Sequence, residues 1–175
     1  CNNFRLSSSI DDLISPISPS GDNAGVQSAV DEYCKGGYSI KIPATGKYTT
    51  SFILKDIDGD KISEAVAFYE PSNKIGTISM AIIKKSGNKW SVVSNIEGTA
   101  TDVNSVDFCD FNNDGKMEII VCWSVVSKLT GTSINVYSQN ENNGAYSLQA
   151  VSKAITGSDF ICVDVNDDGV KDLLV

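Results

Sequence analysis

The sequence predicts an all-β fold made of β-propeller blades, each with four antiparallel strands. One observation is a segment that occurs three times in the 175 residues, anchored at Asp56, Asp110 and Asp164 and therefore repeated every 54 residues. A second is the alternation of apolar residues before each anchor, which is the period-two pattern of a strand. The third is a short apolar run after each acidic loop, which predicts a second strand covered on both faces.

The three copies of the segment align without a gap. They are SFILKDIDGDKISEAVAFY from Ser51, SVDFCDFNNDGKMEIIVCW from Ser105 and DFICVDVNDDGVKDLLV from Asp159. Two further strand-like segments follow the first two copies. GTISMAII from Gly76 matches GTSINVYS from Gly131, and WSVV from Trp90 matches YSLQ from Tyr146. Two units therefore contain four predicted strands each.

The repeat sets the predicted blade boundaries within residues 48–175. We assign blade one to residues 48–98, blade two to residues 104–156 and the start of blade three to residues 157–175. Propellers close with about 4 to 8 blades, so two blades and a start cannot form a ring. We expect the remaining blades to come from a longer chain or from an assembly.

Residues 23–47 predict a short helix and a leading strand. Asn23 can cap the helix start and Gly36 with Gly37 can end it. The residues at helical spacing are Val26, Ala29, Val30 and Tyr33. YSIKIP from Tyr38 then alternates as a strand, which we place as an outer strand of a closing blade.

Residues 1–22 are polar and rich in Ser, Pro and Asp, which predicts a flexible tether. Cys1 followed by such a tether resembles the start of a mature bacterial lipoprotein, whose first cysteine carries the lipid. An arbitrary start of the sequence is the alternative. The lipoprotein interpretation predicts an extracellular protein of the cell envelope, anchored to the membrane only through Cys1.

Composition excludes several classes of function. The chain has 14 basic and 22 acidic residues and a net charge of −8, which disfavours nucleic-acid binding. It has no histidine, so imidazole catalysis is excluded and a catalytic zinc site is disfavoured. The basic cluster of Lys84, Lys85 and Lys89 is interpreted as a solvated strand edge.

The four cysteines after Cys1 have no metal-binding or redox spacing and are predicted to be buried free thiols. They are Cys34, Cys109, Cys122 and Cys162. Cys109 and Cys122 are expected on the two arms of one hairpin but not opposite each other, with Cys122 facing Val106.

Each of the three loops has acidic or amide residues at positions one, three, five and nine. These are Asp56, Asp58, Asp60 and Glu64 in loop one, Asp110, Asn112, Asp114 and Glu118 in loop two, and Asp164, Asn166, Asp168 and Asp172 in loop three. Position seven offers its backbone carbonyl, at Ile62, Lys116 and Val170. Calcium takes six to eight oxygen ligands, so the spacing predicts up to three structural Ca²⁺ sites. Zinc is disfavoured by the all-oxygen set.

Two alternatives to this prediction concern the loops themselves. An EF-hand or dockerin loop needs an acid at position twelve and a following helix, but Ala67, Val121 and Val175 occupy that position and strands follow. The other alternative is a set of Asx-rich hairpin loops that need no metal. Carboxylate repulsion counts against it, because loop one gathers four acids.

Loop one differs from the other two at position six. Lys61 stands where Gly115 and Gly169 stand in loops two and three, and the turn there favours positive φ. A lysine in that conformation costs on the order of 1 kcal/mol, so we expect loop one to bind calcium more weakly.

The pattern D-x-[DN]-x-D-G-x-x-[DE] between two strands of a blade resembles the FG-GAP and VCBS repeats of integrin α-chains and many bacterial surface proteins. The segment YSIKIPATGKYTTSFILKDIDGD, after a leading Cys and a short helix, is similar to VCBS-repeat lipoproteins of Gram-positive bacteria. The repeat resemblance covers residues 48–175. It implies a structural role for calcium and an adhesive or ligand-binding use of the propeller faces.

These features predict a non-catalytic, calcium-stabilised binding or adhesion module on the cell surface, with an unidentified glycan or protein ligand. The alternative is the propeller scaffold of a polysaccharide-active hydrolase or lyase. Such an enzyme needs two carboxylates about 5–10 Å apart outside the loops. The candidates are Glu97, Asp102, Asp107 and Asp159. A third possibility is a spacer element that holds a longer protein away from the membrane.

Overall fold

The computed structural model describes residues 21–98, 100–125, 131–142, 145–150, 155–157 and 159–175. Cys1 and nearly all of the predicted tether lie outside these ranges. The described chain has one helix, α1 (Asp22–Tyr33), and twelve strands. The strands are β1 (Tyr38–Lys41), β2 (Ile53–Lys55), β3 (Glu64–Pro71), β4 (Ile78–Ser86), β5 (Lys89–Gly98), β6 (Asp102–Cys109), β7 (Glu118–Val125), β8 (Gly131–Asn142), β9 (Ala145–Ala150), β10 (Ile155–Thr156), β11 (Ile161–Val163) and β12 (Asp172–Leu174).

The strands form three antiparallel sheets that follow the order of the repeats. The first contains β1 to β5, the second β6 to β10, and the third the hairpin of β11 and β12. The prediction of an all-β fold is confirmed. The described sheets do not close into a ring, as expected of a partial propeller.

The first strand of blade one is divided into two. β1 pairs with the end of β3 from Phe68 to Pro71, and β2 pairs with its start from Glu64 to Val66. In blade two the single strand β6 covers β7 from Glu118 to Ser124. The placement of β1 in a closing blade is therefore wrong, because the short β2 leaves half of the β3 edge for β1 to cover.

The spacing of 54 residues persists into the third strand of each blade. Ala65 pairs with Ile83 in blade one, and Ile119 pairs with Tyr137 in blade two. The match of Gly76 with Gly131 is therefore wrong by one residue.

The cysteines are free thiols where the structure describes them, and Cys109 and Cys122 are buried. Cys122 lies opposite Ser105 and not Val106, because the β6–β7 ladder begins with Cys109 opposite Glu118. Cys34 and Cys162 are only partly buried. Burial, followed by the nearby Cys109 thiol, raises the pKa of Cys162 to about 12.

The core is layered because alternate residues of a strand point to opposite faces of its sheet. On β3, Val66 and Phe68 face blade two, whereas Ala65, Ala67 and Tyr69 face α1. The Phe68 and Trp123 rings meet edge to face between blades one and two, 5.7 Å apart. A third cluster joins blade two to the β11–β12 hairpin. Both faces of β3 are thus covered, as predicted from its continuous apolar run.

Helix α1 lies on the face of blade one that points away from blade two. Val26, Ala29 and Val30 are buried there, but Tyr33 is 51% exposed and so lies outside the apolar face predicted for it. The helix begins at Asp22 without a side-chain cap, so Asn23 is not the capping residue. α1, the one helix of the described residues, is too short and too polar to cross a bilayer.

Candidate metal-binding loops

The three acidic loops connect paired strands and share three internal hydrogen bonds. Loop one joins β2 to β3, loop two joins β6 to β7, and loop three joins β11 to β12. In each loop the position-two N–H donates to the carboxylate at position nine. The pairs are Ile57 to Glu64 (3.0 Å), Phe111 to Glu118 (2.9 Å) and Val165 to Asp172 (3.2 Å). The ninth residue, which begins the second strand, is thereby turned back towards the start of its loop.

Two further bonds recur in every loop. The position-six N–H donates to the position-one carboxylate, and the position-seven N–H donates to the position-five carboxylate. For position one the pairs are Lys61 to Asp56 (3.0 Å), Gly115 to Asp110 (2.9 Å) and Gly169 to Asp164 (2.9 Å). For position five they are Ile62 to Asp60 (2.7 Å), Lys116 to Asp114 (2.8 Å) and Val170 to Asp168 (2.8 Å). The backbone therefore orients the acids at positions one, five and nine alike in all three loops.

Position three differs between loop one and the others. Asn112 and Asn166 each donate from the side-chain amide to the position-five carboxylate of their own loop, at 3.1 and 2.9 Å. Asp58 cannot donate in this way. Its Oδ2 instead accepts a hydrogen bond from the Lys84 ammonium of β4.

The backbone at position six explains why glycine suits it. Gly115 and Gly169 have φ of 84° and 86°, and Lys61 adopts nearly the same conformation with φ of 70°. Loop one therefore keeps the shape of the other loops despite its lysine. The strain this places on Lys61 is on the order of 1 kcal/mol.

Neighbouring loops are also in contact with each other. The Met117 N–H of loop two donates to the Ile57 carbonyl of loop one at 2.8 Å, and Ile57 is fully buried. Asn113 of loop two donates from its side chain to the Gly169 carbonyl of loop three at 3.4 Å. The loops thus form one continuous row along the three blades.

The acids approach each other most closely in loop one. Asp56, Asp58 and Glu64 each offer a carboxylate oxygen within 4.8 Å of the others, close enough to share one cation. Among the residues that the structure describes, no second group of three acidic, cysteine or histidine side chains is this close. Loops two and three each have three acids and an amide, but their three acids do not come this close to one another.

Burial changes the pKa of the two glutamates at position nine. Glu64 is 1% exposed and Glu118 is 7% exposed. Burial raises the pKa of each carboxyl; the backbone N–H bond from Ile57 or Phe111 opposes it, and the neighbouring aspartates add to it. Both side chains are therefore costly to keep charged without a nearby cation.

Lys84 supplies positive charge to loop one. Its Nζ bonds to Asp58 and lies 3.7 Å from Glu64 Oε1. Burial lowers the pKa of Lys84, but the attraction of Asp58 and Glu64 outweighs it and the pKa is raised overall. The ammonium therefore stays charged beside the buried Glu64.

The prediction of a solvated strand edge holds for Lys85 and Lys89, which are exposed, whereas Lys84 is partly buried. Each of the three lysines also pairs with an acid. Lys85 contacts Asp22 at 2.6 Å and Lys89 contacts Glu32 at 3.3 Å, and both acids belong to α1. The sequence alone assigned no specific role to Lys84. The repeat could have indicated one, because Ser138 occupies the corresponding position 54 residues later and the charge of Lys84 is therefore specific to blade one.

The comparison with known proteins supports the repeat. A family model described as an FG-GAP-like repeat matches residues 56–121. This span starts at the first acid of loop one and ends within β7, so it includes loop two as well. FG-GAP repeats are a domain type of integrin-like adhesion and binding proteins. Searches of curated proteins and of solved structures found no match.

Proposed function

We propose that this chain is part of a non-catalytic binding or adhesion module whose blades are stabilised by calcium in the acidic loops. The observation that supports this most strongly is that three hydrogen bonds recur in all three loops, at the same point of three successive repeats. A family whose members include integrin-like binding proteins matches two of these loops. The glycan or protein ligand would bind elsewhere on the blades, because the loop acids are committed to metal.

The donor set fits calcium chemically. Each loop offers side-chain oxygens at positions one, three, five and nine and a backbone carbonyl at position seven, with no nitrogen or sulfur ligand. In loop two the ligands would be Asp110, Asn112, Asp114, Lys116 and Glu118, and in loop three Asp164, Asn166, Asp168, Val170 and Asp172. Bound calcium would supply the positive charge that the crowded acids require, and would hold the two strands of each hairpin together.

Loop one would use Asp56, Asp58, Asp60, Ile62 and Glu64. Its acids are the most closely grouped, but the group already holds an ammonium. We therefore rank loop one below loops two and three for calcium affinity.

The proposed location is the cell envelope, with Cys1 as the lipid-bearing residue and the remaining blades supplied by a longer chain or an assembly. This part of the proposal rests on Cys1 and the polar segment rich in Ser, Pro and Asp that follows it. Analysis of the native protein by mass spectrometry would test it, since a lipid on Cys1 adds a defined mass. An unmodified Cys1 in protein isolated from membranes would exclude this anchor.

The contacts of the four candidate catalytic acids favour binding over catalysis. Glu97 forms an ion pair with Lys74, and both side chains are about half exposed. Asp102, Asp107 and Asp159 each accept a hydrogen bond from the N–H of the next residue, at 2.8 to 2.9 Å. These are local contacts of surface acids. A panel of polysaccharides tested for cleavage would separate the two functions, and cleavage lost with one of these acids would favour the enzyme.

Thermal unfolding with calcium and with chelator tests the central proposal. A ligand that binds only the folded chain stabilises it by about 2.7 kcal/mol per site at a concentration of 100 Kd. We expect a large rise in melting temperature with calcium, and a much smaller rise in the double variant Glu118→Gln with Asp172→Asn. Glu64→Gln should reduce the rise least. An identical melting curve in calcium and chelator would contradict the proposal.

A further inference from the structure

We propose that Lys84 is the resident counter-ion of loop one and competes with a divalent cation for Asp58 and Glu64. This inference rests on the proposed calcium role of the loops and concerns which of them the metal can fill. It differs from the effect of Lys61, which acts through the backbone of the loop. Lys84 lies outside the loop, on β4.

The ammonium is placed by the sheet. Ile83 pairs with Ala65, so the next residue on β4, Lys84, lies across from Glu64 at the end of the loop. Its Nζ reaches Asp58 Oδ2 and lies 3.7 Å from Glu64 Oε1. The side chains of Asp58 and Glu64 are 13% and 1% exposed, so the contact is largely shielded from water. A charge pair in such a place attracts more strongly than one on the surface.

A comparison with loop two shows that two differences compensate each other. Loop one has Asp58 where loop two has Asn112, which adds a negative charge. Blade one has Lys84 where blade two has Ser138, which adds a positive charge. Each loop has one lysine of its own, and these cancel in the comparison. With Lys84 included, loop one has the same net charge as loop two.

The geometry also shows what the ammonium replaces. Asp56, Asp58 and Glu64 bring three oxygens within 4.8 Å of one another, which is the spacing that a shared cation needs. Lys84 contacts two of these three residues. A divalent ion that binds to Asp58 and Glu64 must therefore displace the Lys84 ammonium from both.

The first experiment measures calcium binding to loop one by calorimetric titration. The background is the full chain with Glu118→Gln and Asp172→Asn, which removes the position-nine acids of the other loops. We expect Lys84→Met to tighten calcium binding in this background by about tenfold or more. Lys85→Met is the matched control, since Lys85 is the adjacent lysine but pairs with Asp22. Equal affinities for Lys84→Met and the background would overturn the proposal.

The second experiment needs no calcium. In chelator, Lys84→Ser should lower the melting temperature, because it leaves Asp58 and Glu64 without their cation. Adding Asp58→Asn to Lys84→Ser should restore it, because the pair then matches Asn112 and Ser138 of blade two. A double variant no more stable than Lys84→Ser alone would contradict a counter-ion role, as would a single variant that melts like the parent.

The two proposals fail in different ways. Suppose that the parent chain shows no response to calcium but Asp58→Asn rescues Lys84→Ser. The counter-ion role of Lys84 then holds, and the proposal that loops two and three bind calcium is wrong. If calcium stabilises the parent through Glu118 and Asp172 but Lys84→Met changes neither the titration nor the chelator melt, only the counter-ion proposal is wrong.

Discussion

Gly59 of loop one lies against the carbonyl of Gly115 in loop two. A Cβ atom built on Gly59 would stand 2.5 Å from the Gly115 oxygen, well inside contact distance. The next pair of loops has the same relationship, since Asn113 corresponds to Gly59 and contacts the Gly169 carbonyl. The loops are therefore packed on one another as well as built alike, and their contacts help to set the spacing of the blades.

This relationship predicts different costs for two glycine substitutions. Gly59 and Gly115 both have positive φ, of 79° and 84°, so alanine at either position is strained by about 1 kcal/mol. Only Gly59→Ala also drives a methyl group into the neighbouring loop, because a Cβ on Gly115 meets nothing within 4 Å. We expect Gly59→Ala to lower the free energy of unfolding, measured in urea, by roughly 1–3 kcal/mol more than Gly115→Ala does. Equal losses would show that the loops are not in contact in solution.

The pKa values of the buried glutamates predict a pH dependence that reverses with calcium. Glu118 has a raised pKa in the folded chain, so the folded state binds more protons than the unfolded state between the two pKa values. In chelator, stability should therefore rise as the pH is lowered from neutral through the raised pKa of Glu118. With calcium it should fall, because the metal needs the deprotonated carboxylate. Melting temperatures in both series give the measurement.

Glu118→Gln is the control for this reversal. The amide oxygen of glutamine can still accept the Phe111 N–H bond that Glu118 Oε2 accepts, at 2.9 Å, but it has no charge to bury. In chelator the variant should be at least as stable as the parent at neutral pH and should vary less with pH. In calcium it should be less stable than the parent. A variant that is destabilised equally under both conditions would contradict this account.

The position of each loop between two strands and the hydrogen bonds that recur within it are local features of the sequence. The recurring hydrogen bonds join residues within nine positions of each other, such as those from Asp110 to Glu118. The spacing of these residues in the sequence is therefore enough to indicate the bonds. The same holds for the positive φ at Lys61, which could be inferred from Gly115 and Gly169. The repeat also made the order of the strands predictable.

Contacts between distant segments were not predictable in this way. Lys84 reaches Asp58 from the second strand after the loop, and only the register of β3 with β4 brings them together. β1 was misplaced for a similar reason, since nothing in YSIKIP specifies which strand edge is free. That edge exists because β2 covers only Glu64 to Val66 of β3.

Helix α1 covers the face of blade one that points away from blade two. A blade that closed a ring onto this face would have to displace the helix.

The packing of α1 on this face can be tested at Gly25. Gly25 lets the helix approach Trp90, since a Cβ there would lie 2.3 Å from the indole Cδ1. Gly25→Ala should lower the free energy of unfolding by roughly 1–3 kcal/mol, despite the better helix propensity of alanine. It should also shift tryptophan fluorescence emission to the red, because Trp90 becomes exposed. Gly36→Ala, just beyond the helix, is the control, because its Cβ meets nothing within 4 Å. If both variants unfold like the parent, α1 does not pack on Trp90 and the face of blade one is open to another partner.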